Sequence, residues 1–210
     1  MIMAEPKVFI VDDDPAMRDS LRFMFTGTEI SVELCESAEA FLETFHPLTL
    51  GCLILDLRMR GMDGLQLHRK LRSLGTCLPV IILTGHGDIA TAVSEMKSGA
   101  FDFFTKPVNR ETLLPRVREA IKDHLRRHAT EHEATSIRKR LTTLSKRECE
   151  IMDHVALGQS NKQIARVLNL AERTVANHRA SVLLKMEAAN SADLVRQLGI
   201  IGRVQPNSPR

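Results

Sequence analysis

Cysteine is scarce. The four present, Cys35, Cys52, Cys77 and Cys149, lie far apart, with no CxxC pair and no metal-type spacing. That excludes a disulfide scaffold and a cysteine-built zinc module, and it fits a reduced, cytoplasmic compartment. Cys52 lies in an apolar run and reads as a small core residue. Long hydrophobic runs are missing too. Val80-Ile81-Ile82-Leu83 is typical of the longest, against the ~20 residues a membrane helix needs. No membrane partner is expected. The first residues lack the apolar core of a secretory signal, so no leader is expected either.

What is present is ordinary globular material, 43% hydrophobic and 26% charged, of a length that suits one or two domains. Charge divides along the chain. Residues 1–122 hold 14 Lys and Arg against 17 Asp and Glu, whereas residues 123–210 hold 15 against 9. The basic half is the natural partner for a polyanion.

Residues 7–125 alternate short apolar runs with helical patterns. Strands are predicted at Val8–Val11, about Ile30–Leu34, Cys52–Leu55, Val80–Leu83 and Phe101–Phe104. Helices follow each, opened by Asp14-Pro15, Ser37, a turn near Gly64, Asp88 and about Arg110. Five such repeats predict an α/β fold, a five-stranded doubly wound parallel sheet with helices on both faces. Pro115 falls inside the fifth helix, which should start later or kink there. Residues 123–143 are polar and read as a partly helical linker. They contain His128-x-x-Glu131-His132, a zinc-protease spacing that reads better as a solvated helix face.

Residues 144–199 carry no strand signal and predict four short helices, a second, all-α domain. Ser145-x-x-Glu148 and Ser160-x-x-Gln163 are capping boxes, and Gly158 ends the first of these helices. The third runs from about Glu172 to Met186 after a short link, and the fourth begins near Ser191, which suits a helix-turn-helix.

Open parallel sheets bind ligands at the carboxyl ends of their strands. Asp12 and Asp13 follow the first predicted strand, Asp56 the third, Thr84 the fourth and Lys106 the fifth, the last held by Pro107. Neighbouring first and third strands would crowd three carboxylates, whose repulsion a hard divalent cation relieves. Mg²⁺ suits such oxygen ligands best, with Mn²⁺ as the substitute. Carboxylate nucleophile, cation, hydroxyl and ammonium together make a phosphoryl-transfer site. Asp56 is the expected nucleophile, because Asp12 and Asp13 read as a metal-holding pair.

The strings VDDDPAMRDSL, LILDLRMRGMDG, VIILTGHGD and FFTKPV resemble the receiver domain of two-component response regulators, of flavodoxin-like fold, across residues 5–122. The resemblance makes Asp56 the phospho-acceptor, Asp12 and Asp13 metal-site acids, and Arg58 a metal ligand through its backbone carbonyl. It makes Thr84 and Lys106 a switch pair and Phe103 the switch aromatic. Arg60 departs from the family's usual Pro, which implies a more mobile loop.

LSKRECEIMDHVALGQSNKQIARVLNL and RTVANHRASVLLKM resemble the LuxR/NarL-type DNA-binding domain, over residues 144–204. The combination resembles the FixJ branch of response regulators. On a helical wheel Val175, Val182 and Met186 face inward, and Arg173, Asn177 and Ala180 lie opposite with Ser181 beside them. Arg173 and Asn177 suit base edges. Arg179 and Lys185, with Asn161 and Lys162 on the preceding helix, suit phosphates. His178 reads as structural. Ala171 replaces the usual Ser/Thr cap and Ala176 a common Lys. Leu184 also points outward, without explanation.

These features predict a two-component regulator rather than a turnover enzyme. A sensor histidine kinase would phosphorylate Asp56, and the receiver would form a homodimer through Val93, Lys97 and Phe101. The dimer would bind double-stranded DNA and act on RNA polymerase. One rival is a Mg²⁺-dependent phosphatase or phosphotransferase acting through Asp12 or Asp13. The other is a constitutive DNA-binding protein whose receiver is vestigial and only dimerises.

Overall fold

The computed structural model describes residues 6–85, 96, 97 and 99–203. Val93 and the helix opening at Asp88 lie outside the described residues. The chain forms two compact units, Met1–Arg127 and His128–Arg210.

The first unit is built on five strands: β1 (Lys7–Val11), β2 (Ser31–Cys35), β3 (Gly51–Asp56), β4 (Val80–Thr84) and β5 (Asp102–Thr105). Their order is β2-β1-β3-β4-β5, and every pairing is parallel. Both faces are covered, so the strands read as continuous apolar runs. The side-chain period of two sorts each run between two cores. Phe9, Val11, Leu53, Leu55, Val80 and Ile82 pack on one face against Phe41, Leu67 and Leu71. Val8, Ile10, Cys52, Ile54, Ile81 and Leu83 pack on the other against Leu21, Leu113 and Val117.

Among the described residues the helices are α1 (Pro15–Met24), α2 (Ala38–Thr44), α3 (Gly64–Ser73) and α4 (Arg110–Leu141). Asp14 and Ser37 cap the first two, accepting from the amides of Ala16 and Ala40. Asp63 and Gln66 form a capping box at α3. Gly64 starts α3 where a Cβ would sit 2.2 Å from the Asp56 carbonyl oxygen, so only glycine lets the helix begin this close to β3.

α4 starts where the sequence places it, at about Arg110, and not later. Pro115 lies inside a helix that begins at Arg110. Asn109 caps it, accepting from the amide of Thr112 at 2.9 Å. As the sixth helical residue, Pro115 lies just beyond the first four amides, which have no intrahelical partner, and it removes one bond, that to the Glu111 carbonyl. Buried Leu113, Leu114 and Val117 hold the turn around it. The stretch read as a partly helical linker is also helical, as far as Leu141. Asp123 pairs with Arg126 and Arg127 one turn on.

The second unit contains α5 (Lys146–Ala156), α6 (Asn161–Leu168), α7 (Glu172–Lys185) and α8 (Ser191–Ile200). Their core joins Ile151, Met152, Val155, Ile164, Val175, Val182, Met186, Leu194 and Leu198 with Ile137 of α4. Capping boxes at Ser145–Glu148 and Ser160–Gln163 start α5 and α6. Asn169 takes the left-handed conformation that ends α6, φ +52°. Among the described residues no helix is long and apolar enough to cross a membrane.

Candidate functional site

The parallel register brings one end of the sheet into line. β1 lies between β2 and β3, and β4 between β3 and β5. Asp12 and Asp13 therefore follow β1 beside Asp56, the last residue of β3. Thr84 closes β4, and Lys106 follows β5 with its amide bonded to the Thr84 carbonyl at 2.8 Å. Ligand oxygens of Asp12, Asp13 and Asp56 lie within 4.8 Å of one another, the one such cluster of possible metal ligands among the described residues.

Lys106 is the cation that lets these acids meet. Its Nζ is 2.8 Å from Asp12 Oδ2 and 3.0 Å from Asp56 Oδ2. Asp12 and Asp56 are both buried, while the Lys106 side chain keeps 21% of its exposure. Burial pushes the Asp56 carboxyl above its usual range, and the Asp12 charge adds to that against the pull of Lys106. Burial alone would lower the Lys106 ammonium. Its hydrogen bonds to Asp12 and Asp56 outweigh burial and raise it, so it stays charged.

Asp13 has a different partner. The backbone amide and the Nε of Arg60 both donate to its Oδ2, each at 3.3 Å. Burial pushes the Asp13 carboxyl up, but these bonds and the Arg60 charge together hold it below the usual range. Asp12 is oriented by its neighbours. Its Oδ1 accepts from the Asp14 amide at 2.9 Å, and its carbonyl accepts from Arg18 at 2.7 Å. Thr84 is fully buried, and its hydroxyl donates to the Gly85 carbonyl at 3.2 Å.

The donor set suits a small hard cation: three carboxylates, with the Arg58 carbonyl two residues beyond Asp56 in the same loop. The Lys106 ammonium and the exposed Arg60 guanidinium against three carboxylates still leave net negative charge, which favours a cation. His128, Glu131 and His132 form no cluster of metal ligands, and Glu131 and His132 are exposed.

Of the residues expected at the dimer face, Lys97 is exposed and Phe101 is half-buried beneath the Arg116 guanidinium, 5.1 Å from the ring centre. Phe103 is half-buried against the α2–α3 side of the core.

In the second unit, Arg173, Asn177 and Ala180 are exposed along one face of α7, and Ala176 and Leu184 are exposed with them. Val175 and Val182 are buried opposite. Lys162 is exposed and Asn161 half-buried at the start of α6. Ala171 makes no side-chain cap. Two expected phosphate contacts also have partners within the domain. Lys185 Nζ lies 2.7 Å from Oε2 of buried Glu148. Arg179 donates to Asn161 Oδ1 at 3.1 Å and to the Ser191 hydroxyl at 2.7 Å. Both lie on the flanks of α7, where a long side chain reaches neighbouring helices as readily as solvent.

Comparison with known proteins fits both units. Residues 8–118 match the response regulator receiver domain, and residues 142–198 match the luxR family of bacterial regulatory proteins. The transcriptional regulatory protein FixJ of Bradyrhizobium diazoefficiens is 39% identical over 189 residues, 90% of this chain and 92% of that protein. The response regulator protein TodT of Pseudomonas putida is 40% identical over 189 residues, 90% of this chain and 83% of that one. The chain belongs to the response regulators of the NarL/FixJ type. The solved structure of the response regulator StyR covers 93% of this regulator with 98% of its own chain, at 34% identity and a TM-score of 0.83.

The regulator thus joins a receiver domain to a LuxR-type DNA-binding domain. The contacts of three of its residues do not follow from the sequence. Arg60 was read as a missing proline, yet it sits on Asp13. Glu39 accepts from the amide of Met62 at 3.0 Å and so ties down the loop after Asp56. Glu148, read only as half of a capping box, also holds Ser181 at 2.6 Å and Lys185. A glutamate in a capping box next to a buried helix face was the available signal for the last. Nothing in the sequence pairs Arg60 with Asp13 or Met62 with Glu39.

Proposed function

We propose that Asp56 accepts a phosphoryl group from a sensor histidine kinase and that this modification controls DNA binding. The reading rests on one observation above all. Asp12, Asp13 and Asp56 converge at the sheet edge with the Lys106 ammonium between two of them. Asp56 Oδ would attack phosphorus, and the leaving group would depart with the electron pair of the broken P–O or P–N bond. Lys106 would give up its hold on the Asp56 carboxylate and neutralise a phosphoryl oxygen instead. Thr84 would turn its hydroxyl from Gly85 to another. Asp12, Asp13, Asp56 and the Arg58 carbonyl would hold Mg²⁺, or Mn²⁺, which supplies charge neutralisation at the phosphoryl oxygens when bound.

The downstream step is a population shift. Movement of Thr84 and Lys106 biases the receiver toward a state that dimerises through a face including Val93, Lys97, Phe101 and Phe103. Two output domains then meet two half-sites of double-stranded DNA. Arg173, Asn177 and Ala180 face the bases and Asn161 and Lys162 the backbone, while Arg179 and Lys185 support the recognition helix from within. The regulator acts in the cytoplasm on transcription by RNA polymerase.

The test is intact mass after incubation with Mg²⁺ and acetyl phosphate. One added phosphoryl group on the native protein and none on Asp56→Asn is the expected result. No adduct on the native protein from acetyl phosphate or a cognate kinase, or an adduct that persists in Asp56→Asn, would overturn the assignment.

A further inference from the structure

Asp13 is the most exposed of the three clustered acids and the only one without a bond to Lys106. Its side chain is 27% exposed, against 1% for Asp12 and 9% for Asp56. Both bonds from Arg60 fall on the same oxygen, Oδ2. A carboxylate oxygen offers about two lone-pair sites, so Arg60 occupies the metal-binding capacity of that atom. A divalent ion reaching Asp13 must use Oδ1 alone or displace the guanidinium.

The Arg60 side chain is itself 92% exposed, and among the described residues Asp13 is its one ion-pair partner. The loop around it does not depend on it either. Leu57 is bonded to Leu83 at 3.2 Å, Gly64 to Leu57 at 3.1 Å, and Met62 to Glu39 at 3.0 Å. Arg60 is thus a removable positive charge on an acid of the cluster, in a loop anchored by other contacts.

We propose that Arg60 is a built-in competitor for the divalent cation: its guanidinium caps Asp13 and sets the receiver's metal affinity below what the three carboxylates would give alone. This rests on the reading that Asp12, Asp13 and Asp56 hold a divalent ion. Arg60 acts through Asp13 and is a positioning residue rather than a catalytic one. Electrostatic competition of this kind weakens with ionic strength, because the pair is exposed and screened.

The experiment is calorimetric titration of the full-length, unphosphorylated protein with Mg²⁺, for native, Arg60→Ala and Arg60→Lys forms, at low and high KCl. Thermal unfolding curves check that the fold is retained. Arg60→Ala is expected to bind Mg²⁺ about two- to five-fold more tightly, the scale of one exposed ion pair. Arg60→Lys should stay nearer the native value, and the gap between native and Ala forms should close as salt rises. If the native protein binds Mg²⁺ and Arg60→Ala binds no more tightly, the competition is refuted while the metal site stands. A gap indifferent to salt would also refute it, since loop geometry rather than charge would then be the cause. If neither form binds Mg²⁺, the metal site itself falls and the competition with it.

Discussion

In the receiver, two deeply placed carboxylates, Asp12 and Asp56, share the Lys106 ammonium at the ends of neighbouring strands, and a third, Asp13, is paired with Arg60 at the surface. In the DNA-binding domain, one buried carboxylate, Glu148, is surrounded by donors. It accepts from the Ser145 amide, the Ser181 hydroxyl and the Lys185 ammonium at 2.6–2.7 Å. The first cluster is incomplete and invites a ligand. The second is complete and ties α5 to α7. Buried charge therefore marks chemistry in one domain and architecture in the other. In the second domain the residues suited to a partner lie on an exposed face.

The strongest way to break that comparison is to remove Glu148. Lys185 and Ser181 would lose their acceptor inside the helical domain. Breaking a fully buried pair costs roughly 3–5 kcal/mol. Lys185 is 38% exposed and can rehydrate, so Glu148→Ala is expected to cost about 2 kcal/mol. Urea unfolding should show that loss in the DNA-binding domain, with phosphorylation of Asp56 unchanged. A loss of phosphorylation would mean that Glu148 belongs to function after all. Acid sharpens the same point. The bond from Lys185, then those from Ser181 and Ser145, hold the Glu148 carboxyl down at about 2 from an ordinary 4.5. A depressed folded value stabilises above the unfolded one and is lost as pH falls toward the folded one. The stability gap between native protein and Glu148→Gln should thus be full above pH 4.5 and shrink between 4.5 and about 2.

The exposed face of α7 tests the other side of the contrast. Arg173→Ala and Asn177→Ala should leave unfolding curves within about 0.5 kcal/mol of native. Each should weaken binding to a selected operator by about 1–3 kcal/mol, and relax preference at one base position if the contact is to a base edge. Operator affinity can be followed by fluorescence anisotropy of labelled DNA. Unchanged affinity in both variants would move the interface off this face.

What was legible in the sequence follows physical lines. The strands were readable because burial on both faces leaves apolar runs such as Cys52–Leu55, all fully buried. The acidic site was readable because parallel topology forces strand ends together, so Asp12, Asp56 and Lys106 meet whatever their loops do. Helix starts at Ser37, Ser145 and Ser160 were readable from local capping chemistry. The partners of Arg60, Arg179 and Lys185 were not. Long cationic side chains choose among acceptors brought near by tertiary packing, and no spacing rule encodes that choice. The length of α4 was missed for a related reason. A surface stretch with few apolar residues has little period to read, and its helix is supported by pairs such as Asp123 with Arg127 and by buried Ala134 and Ile137.

The smallest expected effect lies at the start of α7. Ala171 occupies the cap position with φ −72° and ψ 143°, the extended geometry a capping serine adopts, yet it offers no side-chain acceptor. The two preceding helices show what is missing, since Ser145 and Ser160 each accept from the amide three residues on. Ala171→Ser would give the amide of Thr174, which donates to the Ala171 carbonyl at 3.0 Å, a side-chain acceptor as well. It should stabilise the domain by about 1 kcal/mol, read as a higher urea midpoint with an unchanged slope. Because Ala171 is exposed and outside both the Glu148 cluster and the acidic site, the gain should add to the loss in Glu148→Ala rather than cancel it selectively. A gain that vanished in the Glu148→Ala background would mean that the start of α7 and its far end are coupled through that single buried carboxylate.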